Sequence, residues 1–242
     1  KDIQDKLHFK QENVFQKSFK RDNLTYYVVK ESDKNGRMLR IMKRYPGTGV
    51  VYVRNRRKTM QVAAFLREHG VSADYYHAGV EAKERDRRQD DWMSGKTRVI
   101  VATNAFGMGI DKPDVRFVIH LDIPDSLEAY FQEAGRGGRD LKPPVAILLY
   151  DEYDIRQLKR NFTLSFPELD KVRAVYEHLC QRYHIPMGEG QNKTFPFSLT
   201  KNAKEMNMDV NQYYHALQIL EKTGSILVSE HLRETSKIHF RM

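Results

Sequence analysis

Apolar residues in this chain fall into short dense runs, separated by longer stretches in which they recur every three or four positions. The runs Leu24–Lys30, Gly49–Val53, Ser72–His77, Val99–Ala102, Arg116–Leu121 and Pro144–Tyr150 are rich in β-branched and aromatic residues. They predict strands, and the densest read as buried on both faces, as in a parallel sheet. Between them, Met38, Ile41, Met42 and Tyr45 have the spacing of a helix's buried face, and Pro46 and Gly47 end it. Asn55 can cap a second helix reaching about His69, with Val62, Ala63, Phe65 and Leu66 inward. Lys83 to Arg88 mixes both charge signs ahead of Trp92 and Met93, and reads as a solvated helix face. Strands alternating with helices from residue 24 to residue 150 predict a doubly wound α/β domain.

The second part of the chain reads differently. A helix over Glu152–Asn161 leaves the α/β domain, and Pro167 and Glu168 start an amphipathic helix through Tyr183, striped by Leu169, Val172, Val175, Tyr176 and Leu179. Residues 186–194 are glycine-rich and polar, hence a loop. A helix at Val210–Lys222, Gly224, then strands at Ile226–Ser229 and Ile238–Phe240 give an order resembling a winged helix. The division expected is a linker at 1–23, an α/β domain at 24–161 and a smaller helical, winged-helix-like domain at 162–242.

The chemistry concentrates between the strands ending at Ala102 and Leu121, and in the helix after them. Thr103, Asn104, Gly107, Gly109 and Asp111 lie on a loop that no core requires, expected to be solvent-facing and beyond a strand's carboxyl end, where α/β sheets bind ligands. Glycines there let backbone approach a ligand, and Asp111 can accept from a sugar hydroxyl. Ser126 is a good N-cap with Glu128 in the first turn. Gln132, Arg136 and Arg139 then fall at i, i+4 and i+7, one face if the helix persists that far. Gly135, Gly137 and Gly138 would each cost a helix about 1 kcal/mol, so close approach to a partner is the better reason for them. Two arginine forks on such a turn suit a polyanion such as a triphosphate.

AFGMGIDKPDVRFVIH (105–120) followed by YFQEAGRGGRD (130–140) resembles motifs V and VI of superfamily-two helicases, and in detail the RecQ family of DNA helicases. SFKRDNL (18–24) resembles the short inter-domain connection of that family's core. The resemblance implies a RecA-like fold, ATP with Mg²⁺ as fuel, single-stranded or forked DNA as substrate, 3′ to 5′ translocation with unwinding, and a role in DNA repair and recombination. By matched position it makes Arg139 the arginine finger, with Arg136 helping at the γ-phosphate and Gln132 linking the site to DNA. Gly109 and Asp111 would meet the nucleotide. Arg54, Asn55 and Arg56, at a strand-to-helix junction, match motif IV, and His77 and Thr103 would also lie along the DNA track. Two plainer readings stay open: a solvated helix start for the arginines, and a hydrogen-bonded loop residue for His77.

Composition narrows this further. Gly95-Lys96-Thr97 resembles the end of a P-loop, but Asp90 stands where the first glycine is needed and a strand follows. With no P-loop and no Asp-Glu pair for Mg²⁺, the chain is expected to be the C-terminal half of the helicase core. Its N-terminal RecA-like domain would be elsewhere in the same protein, and the fragment alone would be inactive. Starting at Lys1 rather than Met fits a fragment. The single cysteine, Cys180, excludes a multi-cysteine zinc site within the chain, unlike many RecQ proteins. Net charge is +9, and it is uneven: 28 Lys and Arg against 20 Asp and Glu in residues 1–150, then 13 against 12 in 151–242. The basic first part favours phosphate-bearing partners. No apolar run approaches the roughly 20 residues of a membrane span, so an intracellular setting, the bacterial cytoplasm and nucleoid, is expected. The alternative is a non-catalytic nucleic-acid-binding or docking module. Intact Gln132, Arg136 and Arg139 speak against it.

Overall fold

The computed structural model describes residue 6 and residues 21–106, 110–186, 189–190, 193–229 and 237–240. They form two compact units, residues 1–151 and 152–242.

The first unit is built on six parallel strands: β1 (Thr25–Lys30), β2 (Thr48–Tyr52), β3 (Ala73–Tyr76), β4 (Val99–Ala102), β5 (Val115–His120) and β6 (Val145–Tyr150), in the order β1-β6-β5-β2-β4-β3. The period-2 side-chain alternation of a strand splits the apolar residues between two faces. On one face, Val51, Val101, Phe117, Ile119 and Ile147 pack with Met38, Ile41 and Met42 of α1 (Lys34–Arg44) and Val62, Ala63 and Leu66 of α2 (Arg56–Glu68). On the other, Val50, Tyr52, Ile100 and Val118 pack with Phe106 and with Trp92 of α3 (Ala82–Met93). Ala146 packs there with Leu24 and with Tyr130 and Ala134 of α4 (Leu127–Ala134).

Local chemistry sets the helix ends. Asp33 caps α1 by accepting from the Gly36 N–H at 2.9 Å, and Asn55 caps α2 by accepting from the Arg57 N–H at 2.8 Å. Gly49 has no substitute, because a Cβ there would lie 2.0 Å from the Phe117 ring. The charged face read into α3 is only partly solvated. Arg88 is buried, its guanidinium 3.8 Å from the Tyr75 ring centroid and bridged to Asp74 and Glu84, since its length lets it reach back over the β3 edge.

The second unit holds α5 (Glu152–Ser165), α6 (Leu169–Arg182), α7 (Leu199–Glu205) and α8 (Val210–Lys222), with an antiparallel sheet of β7 (Thr194–Pro196), β8 (Ile226–Ser229) and β9 (Lys237–Phe240) in the order β7-β9-β8. Val175, Leu179, Tyr213, Leu217, Ile226 and Ile238 form its core. The helix and following strand pair are those anticipated from the apolar pattern. Helix α5 groups with this unit rather than with the α/β domain, ten residues earlier than the expected boundary, and contacts α8. No α5 residue is buried. That is why its periodicity alone could not assign it to a core.

Candidate functional site

Three adjacent strands deliver the expected nucleic-acid residues at one end of the sheet: Arg54 to Arg56 follow β2, Thr103 follows β4, and His77 follows β3. Their environments differ. Arg54 is tied to the segment after β5, its N–H donating to Asp122 Oδ2 at 2.9 Å, one guanidinium nitrogen to Ile123 O at 3.3 Å, and another paired with Asp125. Partial desolvation holds its guanidinium below its ordinary pKa, against the pull of Glu133 and Asp122. Asn55 spends its carbonyl oxygen on the α2 cap. Arg56 is exposed and stands beside His77, both close to Gly79. His77 is 8% exposed, stacks on Tyr75, and accepts from the Gly79 N–H at Nδ1, 3.1 Å away. Among the described residues its Nε2 has no hydrogen-bond partner. Burial first, then the charges of Arg56 and Arg88, depress its pKa and keep the ring neutral.

Thr103 is not solvent-facing as expected: it is 7% exposed. Its N–H donates to Tyr76 O at 3.3 Å, its carbonyl accepts from the Phe106 N–H at 3.0 Å, and its hydroxyl lies 3.5 Å from the Ala105 N–H. The chain turns inward there because Phe106 is fully buried against Trp92 and Tyr76. Gly107 and Gly109 lie outside the described residues.

The arginine segment departs most from a helical reading. Ser126 caps α4 as expected, accepting from the Ala129 N–H at 3.1 Å. The helix stops at Ala134, so Gln132, Arg136 and Arg139 do not share one helical face. Gln132 is exposed on α4, Arg136 is 9% exposed, and Arg139 turns outward. The cause is the glycine turn. Gly138 has φ +56°, and a Cβ there would come within 2.5 Å of the Lys142 carbonyl oxygen, while one at Gly137 would come within 2.9 Å of Pro144 Cβ. The close approach that these glycines permit in this structure is to the chain's own Lys142 and Pro144.

The charge of Arg136 acts on the Tyr52 hydroxyl, which donates to Phe106 O at 3.1 Å. Burial raises the Tyr52 phenol well above its ordinary pKa, with the Arg136 charge opposing it, so the hydroxyl stays protonated. Tyr52 stacks on His120 with ring centroids 5.2 Å apart, and His120 Nε2 lies 2.9 Å from Glu133 Oε2.

Arg139 Nη1 donates to Asp111 Oδ1 at 2.7 Å, and both side chains are solvent-accessible. The turn that carries Arg139 is pinned to the start of β5: Gly138 N–H donates to Val115 O at 2.9 Å and Asp140 N–H to Pro113 O at 3.2 Å. Arg139 and Asp111 thus meet at the amino end of β5, not beyond the carboxyl end of β4 as the loop's place in the chain suggested. Asp140, bridged to Arg116, has its carboxyl held low by that guanidinium first of all. Sequence reasoning missed Arg21 and Asn23. Both were assigned to a linker, yet their side chains donate to the glycine turn. A polar pair just ahead of the first strand was their only signal.

A cavity of about 120 Å³ opens beside Tyr52, Arg54, Asn104, His120 and Glu133. It is smaller than the roughly 300 Å³ at which ligand pockets begin. Among the described residues no group of three or more His, Cys, Asp or Glu could hold a metal ion, and no helix is long and apolar enough to cross a membrane.

Residues 33–140 match the helicase conserved C-terminal domain family. The chain is 40% identical over 168 residues to the ATP-dependent DNA helicase RecQ of Pasteurella multocida, covering 69% of this chain and 26% of that protein. It is 42% identical over 164 residues to the RecQ-like DNA helicase blm-1 of Caenorhabditis elegans, covering 66% and 16%. The chain thus spans about a quarter or less of the length of these curated relatives. Among solved structures it is similar to the Escherichia coli DEAD-box protein SrmB, crystallised with regulator of ribonuclease activity A, at TM-score 0.51 and 26% identity, covering 58% of this chain and 86% of that one. It shares the fold of Saccharomyces cerevisiae dbp5 at TM-score 0.57 and 18% identity, covering 74% and 50%.

Proposed function

Because this chain belongs to the RecQ family of superfamily-two helicases, as its helicase C-terminal region, we propose that it supplies one wall of an ATP site in a 3′ to 5′ DNA helicase acting in DNA repair and recombination inside the cell. The other wall is the N-terminal RecA-like domain of the same protein. That domain cradles the β- and γ-phosphates and holds Mg²⁺; among the described residues here there is no group of three or more His, Cys, Asp or Glu that could hold a metal ion. The observation that carries the reading is Arg139, an exposed guanidinium on a pinned turn, paired among the described residues with an exposed carboxylate, Asp111. An exposed pair of that kind is worth about 0–1 kcal/mol, so Arg139 can exchange Asp111 for a phosphate at little cost.

In phosphoryl transfer, negative charge spreads over the transferred group's oxygens. A guanidinium placed there stabilises the transition state more than bound ATP. Arg136 serves from the buried side, and Gln132 faces outward toward the DNA or the partner domain. Single-stranded or forked DNA runs past Arg56, His77 and Thr103 at the carboxyl ends of β2, β3 and β4, where exposed Arg56 meets the backbone phosphate. Arg54 and Asn55 shape that end of the sheet through the Asp122 and α2-cap contacts.

The test is Arg139→Ala in the full-length protein. With Arg136 retained, kcat for DNA-stimulated ATP hydrolysis should fall at least about 10²-fold, equivalent to roughly 2.7 kcal/mol. Nucleotide affinity should hold, and Arg139→Lys should not restore the rate, because a point charge lacks the fork. A folded Arg139→Ala enzyme hydrolysing ATP within a few-fold of wild type would remove Arg139 from the site.

A further inference from the structure

We infer that Arg21 and Asn23 are positioning residues for Arg136 and Arg139, holding the turn that carries both; this rests on the reading of the two arginines given above. The last carbonyls of a helix lack intrahelical N–H partners and carry the negative end of the helix dipole. Just past α4, the Gly135 carbonyl accepts from Arg21 Nη1 at 2.6 Å, and the Gly138 carbonyl accepts from Arg21 Nη2 at 2.7 Å and from Asn23 Nδ2 at 2.8 Å. Asn23 Oδ1 also accepts from Arg21 Nη2, at 3.3 Å, which fixes the fork itself.

Those two carbonyls bracket Arg136, and the second belongs to the residue before Arg139. Because two parallel N–H donors meet two carbonyls, the spacing of the turn is set by the guanidinium plane. On its other side the turn is held by the Val115 and Pro113 carbonyls. Arg21 and Asn23 are therefore the clamp on its carbonyl side. They hold a fixed position because Leu24, one residue further on, is buried against Tyr130 and Ala134 of α4. The segment entering the domain thus grips the turn from more than 110 residues away in sequence, and makes the arginine pair depend on how that segment is held.

The experiment uses the full-length protein with Arg21→Ala, Asn23→Ala and Arg21→Lys, each alone and combined with Arg139→Ala. It reads steady-state ATP hydrolysis under saturating single-stranded DNA, nucleotide affinity and thermal unfolding. Misplacing a catalytic group by about 1 Å costs up to about 10²-fold in rate. Arg21→Ala should accordingly lower kcat about 10-fold with nucleotide Kd within about twofold. In the Arg139→Ala background it should lower kcat less than about twofold further, because the group it positions is gone. Arg21→Lys, whose ammonium lacks the planar fork, should not restore the rate.

A merely structural role would lower the unfolding temperature and multiply with Arg139→Ala, which would overturn the inference. So would wild-type kcat in a folded Arg21→Ala enzyme while Arg139→Ala is impaired; the reading of Arg139 would then stand. Wild-type kcat in Arg139→Ala itself would overturn that reading and the inference with it. If Arg21→Ala does not fold, Asn23→Ala and Arg21→Lys carry the same comparisons.

Discussion

Tyr52 and Phe106 are joined through a single hydroxyl, which donates to the Phe106 carbonyl at 3.1 Å, with the charge of Arg136 acting on it. The last residue of β2 is thereby tied to the connection leaving β4. Tyr52→Phe deletes that oxygen and leaves the ring stack on His120 intact. It should cost about 1–3 kcal/mol of stability, the range for losing one partner of buried polar groups, read from urea unfolding of the 242-residue chain. In the full-length protein it should also slow ATP hydrolysis. Unchanged stability would mean that the hydroxyl is not a structural link.

Gly138→Ala should be among the most damaging small substitutions in the first unit. A left-handed φ costs a Cβ-bearing residue about 1–2 kcal/mol, and overpacking against the Lys142 carbonyl and Pro144 adds about 1–3 kcal/mol. Gly70→Ala, at φ +74° with open space around it, should show only the first of these costs. Equal unfolding midpoints for the two variants would show that the Gly138 turn relaxes freely.

The arginines after β2 should separate by assay. Arg56→Ala should weaken single-stranded DNA binding and reduce the salt dependence of binding by about one phosphate contact, with the melt unchanged. Arg54→Ala should instead lower the melt, because it releases the guanidinium's contacts to Ile123 and Asp125. The reverse pattern would reassign both residues.

His77 makes stability depend on pH with a definite sign. Its folded pKa lies below the ordinary 6.5, so the unfolded chain takes up a proton at a higher pH than the folded one. Its contribution is complete above about pH 6.5 and is lost as pH falls from there toward the lowered folded value. His77→Gln should flatten the denaturation midpoint as pH falls below about 6.5. Asp140, held low by Arg116, acts lower, losing its contribution as pH falls below about 4. A wild-type slope in His77→Gln just below about pH 6.5 would show that other groups set the dependence.

Strands such as Val99–Ala102 and Val145–Tyr150 were legible because a parallel sheet buries both faces, which leaves an uninterrupted apolar run. The caps at Asn55 and Ser126 were legible because capping is a contact between near neighbours. The directions of Arg136 and Arg139 were not. They depend on where α4 ends, and that is decided by Pro144 and Lys142 pressing on the glycine turn. Thr103 was read as exposed because nothing adjacent in sequence shows that Phe106 pulls the chain inward. The charged run before Trp92 hid the burial of Arg88, whose partners Tyr75 and Asp74 lie on β3. The clamp by Arg21 and Asn23 is a contact across more than 110 residues, which no local pattern encodes.

The pairing of β1 with β6, Thr25 beside Val145 through Lys30 beside Tyr150, also governs how the molecule can be made. During synthesis the edge strand waits, without its neighbour, until some 120 further residues have left the ribosome. Throughout that interval Tyr26, Tyr27 and Val28 belong to a bare apolar strand able to pair with other nascent chains. A chain cut short before Val145 would keep that strand permanently unsatisfied. Soluble yield should therefore drop sharply for truncations on the amino side of β6, and far less for those that remove only the second unit.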